Sequence, residues 1–231
     1  MADQLFYQRT QERTTRKSKE IRQRNGTWLF VCEGTKTEPN YLNNLYRYLK
    51  VNFSEKLNVT FQVKGTGRNT EDLVRNTEPF FDFVEKNSRN RSIPFAKTFV
   101  VFDIDSFSHN QFNNAIFTSI SKGYIPLWSN ECFELWFLLH FIFLESDIGR
   151  DAYKEKLDFH FNNLVKIDYA KNDEAIFDIL YSKERFKKAM DNSRRLFDDS
   201  CKTKSPSKRV PCTTMFKLFE MIEKEFGIKL Y

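Results

Sequence analysis

Two apolar runs in this sequence end on carboxylates. "TWLFVCEG" (27–34) delivers Glu33, and "TFVVFDIDSF" (98–107) delivers Asp103 and Asp105. Spacing of two places Asp103 and Asp105 on one face of a continuing strand, with Ile104 turned away. Carboxylates held near one another repel, and one takes up a proton unless a cation intervenes. Magnesium suits such a set, since it takes oxygen ligands, needs few carboxylates and keeps waters and phosphate oxygens in its shell. Manganese is a second candidate. A metal held this way activates water and stabilises charge developing on a phosphodiester. The alternative is a pair of solvated strand ends, and these residues alone leave both readings open.

Other residues extend the chemistry. Glu134, inside "CFELWFLLHF", is costly to bury without a partner and is a candidate metal ligand or water-activating base. Glu131 is a weaker candidate nearby. Glu38, five residues after Glu33, either complements a helix N-terminus or joins the acids. Lys36 and Thr37, in the loop after Glu33, are candidate phosphate contacts or parts of a solvated loop. Arg68 and Asn69 lie where a strand meets a helix, a favourable place for an anion, with turn and cap chemistry as the alternative. The basic loop 201–212 and Lys217 offer contacts to phosphate or to an acidic partner. The histidines carry less: His109 reads as capping or exposed, His140 as a core residue, and His160 has no evident chemistry.

These side chains need a scaffold, and the sequence supplies one. Strand-like runs at 27–34, 57–65, 97–103 and 124–128 alternate with helical stretches at 38–50, 69–86 and 111–123. That alternation predicts an α/β fold with a mostly parallel sheet covered on both faces. Ligands then gather beyond the carboxyl ends of the strands, where Glu33 and the Asp103/Asp105 pair sit. From Glu131 onward the chain reads as helical, including "ECFELWFLLHFIFLE" as a core helix. We therefore expect a basic arm over 1–26, an α/β core over 27–130, and a helical portion over 131–231 packed on that core.

Composition bounds the possibilities. The 231 residues include 25 Phe and only 6 Pro and 7 Gly, enough apolar material for a sizeable core and little for long linkers. Lys and Arg exceed Asp and Glu by 37 to 31, which is compatible with a nucleic-acid partner, DNA or RNA. The four cysteines are widely spaced, without the close pairs of a zinc site or the density of a secreted disulfide framework. The N-terminal residues lack an apolar signal core, and "LWFLLHFIFL" (135–144) is half the length of a membrane span of about 20 residues. The expectation is a cytoplasmic protein with no membrane association.

The strings "VCEGTKTEPNYL", "GTGRNTEDLV", "VVFDIDSF", "SNECFELWFLLHF" and "PCTTMFKLFE", in this order, closely resemble the RloB-like family. The resemblance covers nearly all the chain beyond the basic arm, most specifically in E-G-x-x-T-E and C-F-E-L-W. It implies a divergent Toprim-type domain, a group in which a Glu ending the first strand and a later D-x-D bind magnesium for phosphodiester chemistry. Those positions correspond to Glu33, Asp103 and Asp105 here. RloB-like proteins are associated with bacterial defence loci beside ATPases, so the resemblance implies an anti-phage, abortive-infection nuclease with an ATPase partner, itself a possible homo-oligomer. The absence of a G-x-x-x-x-G-K-[ST] loop places any ATPase activity in that partner. Alternatives using the same residues are a non-catalytic nucleic-acid-binding or sensor subunit, and a nucleotide phosphohydrolase or phosphotransferase.

Overall fold

In the computed structural model, residues 26–68, 70–75, 77, 95–104, 108–201 and 204–231 are described. The arm before Gly26, Asn69, Asp105 and most of the helix expected around Pro79 lie outside the described residues. Among the described residues five strands form one sheet. The first two are β1 (Gly26–Cys32) and β2 (Val59–Gly65), joined by helix α1 (Thr37–Asn52). Helix α2 (Thr70–Arg75) follows, then strand β3 (Phe95–Asp103), helix α3 (His109–Ser121) and strand β4 (Ile125–Asn130). The order is β2-β1-β3-β4-β5, parallel throughout except at β5 (Cys212–Thr213), which runs antiparallel to β4. The α/β, mostly parallel architecture expected from the alternation is present.

The long apolar runs make central strands because both faces of the sheet are covered. Trp28, Phe30 and Cys32 face one side with Phe99 and Val101; Leu29 and Val31 face the other with Val100, Phe102 and Ile104. Phe30 stacks on Phe99 at 4.5 Å between centroids, and Trp28 stacks on Phe61 at 5.6 Å. Each such buried ring contributes about 1.5–3 kcal/mol. The first face is closed by Tyr41, Leu42, Leu45 and Leu49 of α1 and by the C-terminal helices. The second is closed by Leu73 and Val74 of α2 and by Phe112, Ala115 and Ile116 of α3. A capping box starts α3, with the Ser108 hydroxyl accepting from the Gln111 amide. Ser108, not His109, is therefore the cap, and His109 is exposed beside it.

The C-terminal portion contains helices α4 (Glu134–Leu138), α5 (Arg150–His160), α6 (Ile176–Leu180), α7 (Lys183–Cys201) and α8 (Phe216–Phe226). The apolar tract after Glu131 does not form the single long helix its composition suggests. Its helix stops at Leu138, and the Asn192 side-chain amide donates to the Leu139 and Ile142 carbonyls at 2.9 and 3.2 Å. A side chain from α7 thus satisfies carbonyls that a continuing helix would have bonded itself. His140 is buried at 2.9 Å from the Trp136 carbonyl, and burial pulls its pKa down to about 4. It is a neutral core residue. Gly227, at φ 61°, closes α8 in the left-handed conformation that glycine favours. Among the described residues no helix is long and apolar enough to cross a membrane.

Candidate functional site

The sheet's strand order reverses direction between β1 and β3, since β2 lies outside β1 and β4 lies outside β3. Their carboxyl ends therefore border a crevice of the kind that holds ligands in open α/β sheets. Glu33 follows β1 directly, and its amide donates to the Val101 carbonyl at 2.9 Å, which keeps it beside β3. Its carboxylate accepts the Asp103 amide at 3.2 Å. Asp103, the last residue of β3, is only 8 % exposed, and its carboxylate accepts the Phe133 amide at 3.0 Å.

Two further acids reach the same place from other elements. Glu38, 6 % exposed, stands in the first turn of α1 and lays its carboxylate over Gly34, where any added Cβ would overlap it. The end of β2 packs tightly beneath this loop. A Cβ at Gly65 would lie 2.6 Å from the Gly34 carbonyl oxygen and 2.7 Å from Thr35 Cα. Glycine at position 65 is what lets the two backbones approach so closely, and glycine at position 34 leaves room for the Glu38 carboxylate. Glu134, 6 % exposed, opens α4 and pairs with Lys171 at 2.7 Å.

The electrostatics record this crowding. Burial, followed by the charges of Glu38, Glu134 and Glu33, holds the Asp103 carboxyl well above its usual range, with the Phe133 amide opposing. Burial also raises Glu38, and Glu134 adds to that rise. The amides of Glu38 and Gly34 and the Lys171 ammonium pull the other way. Cys132 is pushed up by burial and then by Glu134 and Asp103. Partial burial works against the Lys171 charge, but its bond to Glu134 outweighs this and holds the ammonium above its ordinary pKa.

Glu38, Asp103 and Glu134 line a cavity of about 220 Å³ together with Lys36, Thr37, Arg150, Lys171 and Asn172, with Glu33 at its edge on the Asp103 amide. Thr37 donates to the Asn172 side chain at 3.2 Å, and the Asn40 amide donates to the Asn172 carbonyl at 2.7 Å. Asn44 exchanges two hydrogen bonds with Asp178, at 2.7 and 3.0 Å. Together they fasten residues 172–178 to α1 and so set Lys171 over the acids. Lys171→Met is expected to lower metal-free stability by about 1–2 kcal/mol. That is less than the roughly 3–5 kcal/mol typical of breaking a fully buried pair, because the ammonium is half exposed. Thermal denaturation in EDTA checks this, and an unchanged midpoint would show that Lys171 does not hold the Glu134 charge.

The remaining sequence candidates are placed as follows. Lys36 and Thr37 line the acid cavity, whereas Arg68 is exposed and its amide donates to the Thr66 hydroxyl at 3.2 Å in a turn. Lys217 packs its ammonium on the Phe197 ring, 4.0 Å from the centroid, and does not line the cavity. Glu131 lies beside Asp147 in a neighbouring cavity that His109 also lines. Burial and Asp147 push its pKa up to about 7. Arg150, Lys171 and Asn172 carry no local sequence signal, because the fold alone brings them to the acids.

Oxygen donors and a surplus of negative charge are the chemistry a hard divalent cation requires. Among the described residues, however, no three acid, histidine or cysteine side chains already converge as ligands, and Asp105 lies outside them. No curated protein and no solved structure matches the chain. The profile of RloB-like proteins matches residues 28–222, a span that takes in Glu33, Glu38, Asp103, Glu134 and Lys171, and the chain therefore belongs to the RloB-like family.

Proposed function

We propose that this chain is a magnesium-dependent nuclease of Toprim type that hydrolyses phosphodiester bonds at the crevice between β1 and β3. The observation carrying this reading is Asp103, a buried carboxyl at the strand switch point with the Glu33 carboxylate on its amide and Glu38 and Glu134 lining the same cavity. Glu33 and Asp103, with Asp105, would hold the ion, and Glu38 and Glu134 flank them. Magnesium, or manganese in its place, would supply charge neutralisation and a more acidic bound water.

The chain's own groups supply the rest. Glu134 accepts the proton of the attacking water, and its ion pair with Lys171 fixes that carboxylate in position before substrate arrives. Lys171 and Arg150, with Lys36 and Thr37 across the cavity, orient the phosphate as point charges and hydrogen-bond donors. The formal net charge of +6 favours approach of a polyanion. The wider role, as an anti-phage effector working with an ATPase partner, rests on family resemblance.

Incubating the full chain with plasmid DNA, single-stranded DNA and RNA, with magnesium or manganese, tests the activity; the same assay is run with the ATPase from its locus added. Strand scission abolished by EDTA is the expected result. Nucleotide turnover without scission, or binding without scission even with the ATPase present, would contradict it.

A further inference from the structure

A second cavity, about 450 Å³, opens next to the acid cavity and shares Glu134, Arg150 and Lys171 with it. Its volume falls in the range of about 300–1,000 Å³ common to small-molecule sites. Two tyrosines in its wall are unusual. Tyr153 is 1 % exposed and Tyr169 is 9 % exposed, and neither buried hydroxyl has a hydrogen-bond partner among the described residues. Native proteins rarely leave such groups unmatched, because each lowers stability. Burial and the surrounding carboxylates raise both phenol pKa values, so each O–H remains a donor at physiological pH.

The charges of this cavity indicate what kind of group those hydroxyls await. Arg150, Lys154 and Lys171 contribute three cations. Glu134, Asp151, Glu155 and Asp158 contribute four carboxylates. A bare anion gains nothing overall there. A neutral ring with both donors and acceptors on its edge matches the mixed charges and the two hydroxyls. The wall common to both cavities carries Arg150 and Lys171, which suit the phosphate that would link such a ring to the reacting centre.

We propose that this cavity receives one unpaired nucleobase of the substrate strand, adjacent to the phosphate held over the acids, with Tyr153 and Tyr169, whose hydroxyls are closed off from the open cavity, turning to hydrogen-bond its edge. The proposal rests on the phosphodiester reading and adds that the substrate is single-stranded at the site or yields a nucleotide from its stack. A paired and stacked base does not enter such a pocket without being extruded.

Binding measured without cleavage separates this proposal from the nuclease reading. The full chain in EDTA is titrated with labelled single-stranded DNA and RNA oligonucleotides, with the matching duplexes, and with single strands made abasic at each position in turn. A 2-aminopurine at the sensitive position reports burial of the base. Single strands are expected to bind more tightly than duplexes, and one abasic position should weaken binding about tenfold. Tyr153→Phe and Tyr169→Phe should each weaken single-strand binding about three- to tenfold, the loss of one or two hydrogen bonds. Their melting temperatures should equal or exceed wild type, because each removes an unmatched buried hydroxyl. If Tyr153→Phe does not fold, Tyr169→Phe carries the comparison. Equal affinity for every abasic strand, or full affinity in both Phe variants, overturns the proposal. If these binding effects appear but magnesium elicits no cleavage, the pocket stands and hydrolysis does not. If cleavage proceeds with no such effects, hydrolysis stands and the pocket does not.

Discussion

Asp103→Asn is expected to reduce magnesium-dependent cleavage by about 10²- to 10³-fold, the size of losing several kcal/mol of charge stabilisation at the reacting phosphate. In metal-free buffer the same substitution should leave the melting temperature equal to or above wild type. Both expectations follow from one environment. Asp103 is buried among Glu33, Glu38 and Glu134, so its negative charge is unfavourable until a cation compensates it. Asparagine removes that charge while its amide oxygen can still accept the Phe133 N–H. A residue needed for folding alone would give the reverse pattern, lower stability with cleavage falling only in proportion to unfolded protein. Glu33→Gln should act in the same direction, since the Glu33 charge also opposes ionisation of Asp103 and the new amide oxygen can still take the Asp103 N–H. Kinetics and melting on the same preparations decide between these outcomes.

Magnesium stabilisation should depend steeply on pH. Asp103 and Glu38 bind protons more tightly in the folded chain than in the unfolded one. Their contribution to stability is therefore complete below about pH 4 and is lost as pH rises through their raised values. Glu131 acts in the same sense up to about pH 7. His140 acts oppositely. Its pKa is lowered from 6.5 to about 4, so it adds stability as pH rises across that interval. The acids are therefore cleanest to read above pH 6.5, or as the difference between wild type and Asp103→Asn. Magnesium at about 100 times its dissociation constant adds about 2.7 kcal/mol. At about 2–4 °C per kcal/mol for a chain of this size, the melting temperature rises by roughly 5–10 °C at pH 8. At pH 5 protons compete for the same oxygens, and the rise should be small. Equal rises at both pH values, or an undiminished rise in Asp103→Asn, would mean that the ion binds elsewhere.

The elements that set the site were legible where local pattern is strong. β1 and β3 are long apolar runs with acids at their carboxyl ends, so Glu33 and the Asp103/Asp105 pair could be set together before any contact was known. Glu134 stood out because an acid inside an apolar tract needs a reason to be there. Lys171 was not legible: "YAKND" has no pattern, and its ion pair with Glu134 spans more than thirty residues of chain. Tyr153 and Tyr169 carry no local signal, since an unmatched hydroxyl is a property of packing rather than of sequence. β5 is two residues long where the basic loop meets a stretch that reads as helical, and its pairing with Ser129 and Asn130 is a long-range event. The early end of α4 depended on Asn192, which arrives from another helix. Periodicity registers neighbours in sequence, and each of these features is made by neighbours in space.

On the proposed reading, the carboxylates at the β1/β3 edge hold a divalent cation. Crystals of the full chain soaked in manganese, with data collected at the manganese absorption edge, test it most directly. An anomalous peak is expected, bounded by Glu33 and Asp103, with oxygens at about 2 Å, and with Glu38 or Glu134 in contact directly or through water. No peak there at saturating manganese, with Glu33 still on the Asp103 amide and Lys171 still on Glu134, would contradict it.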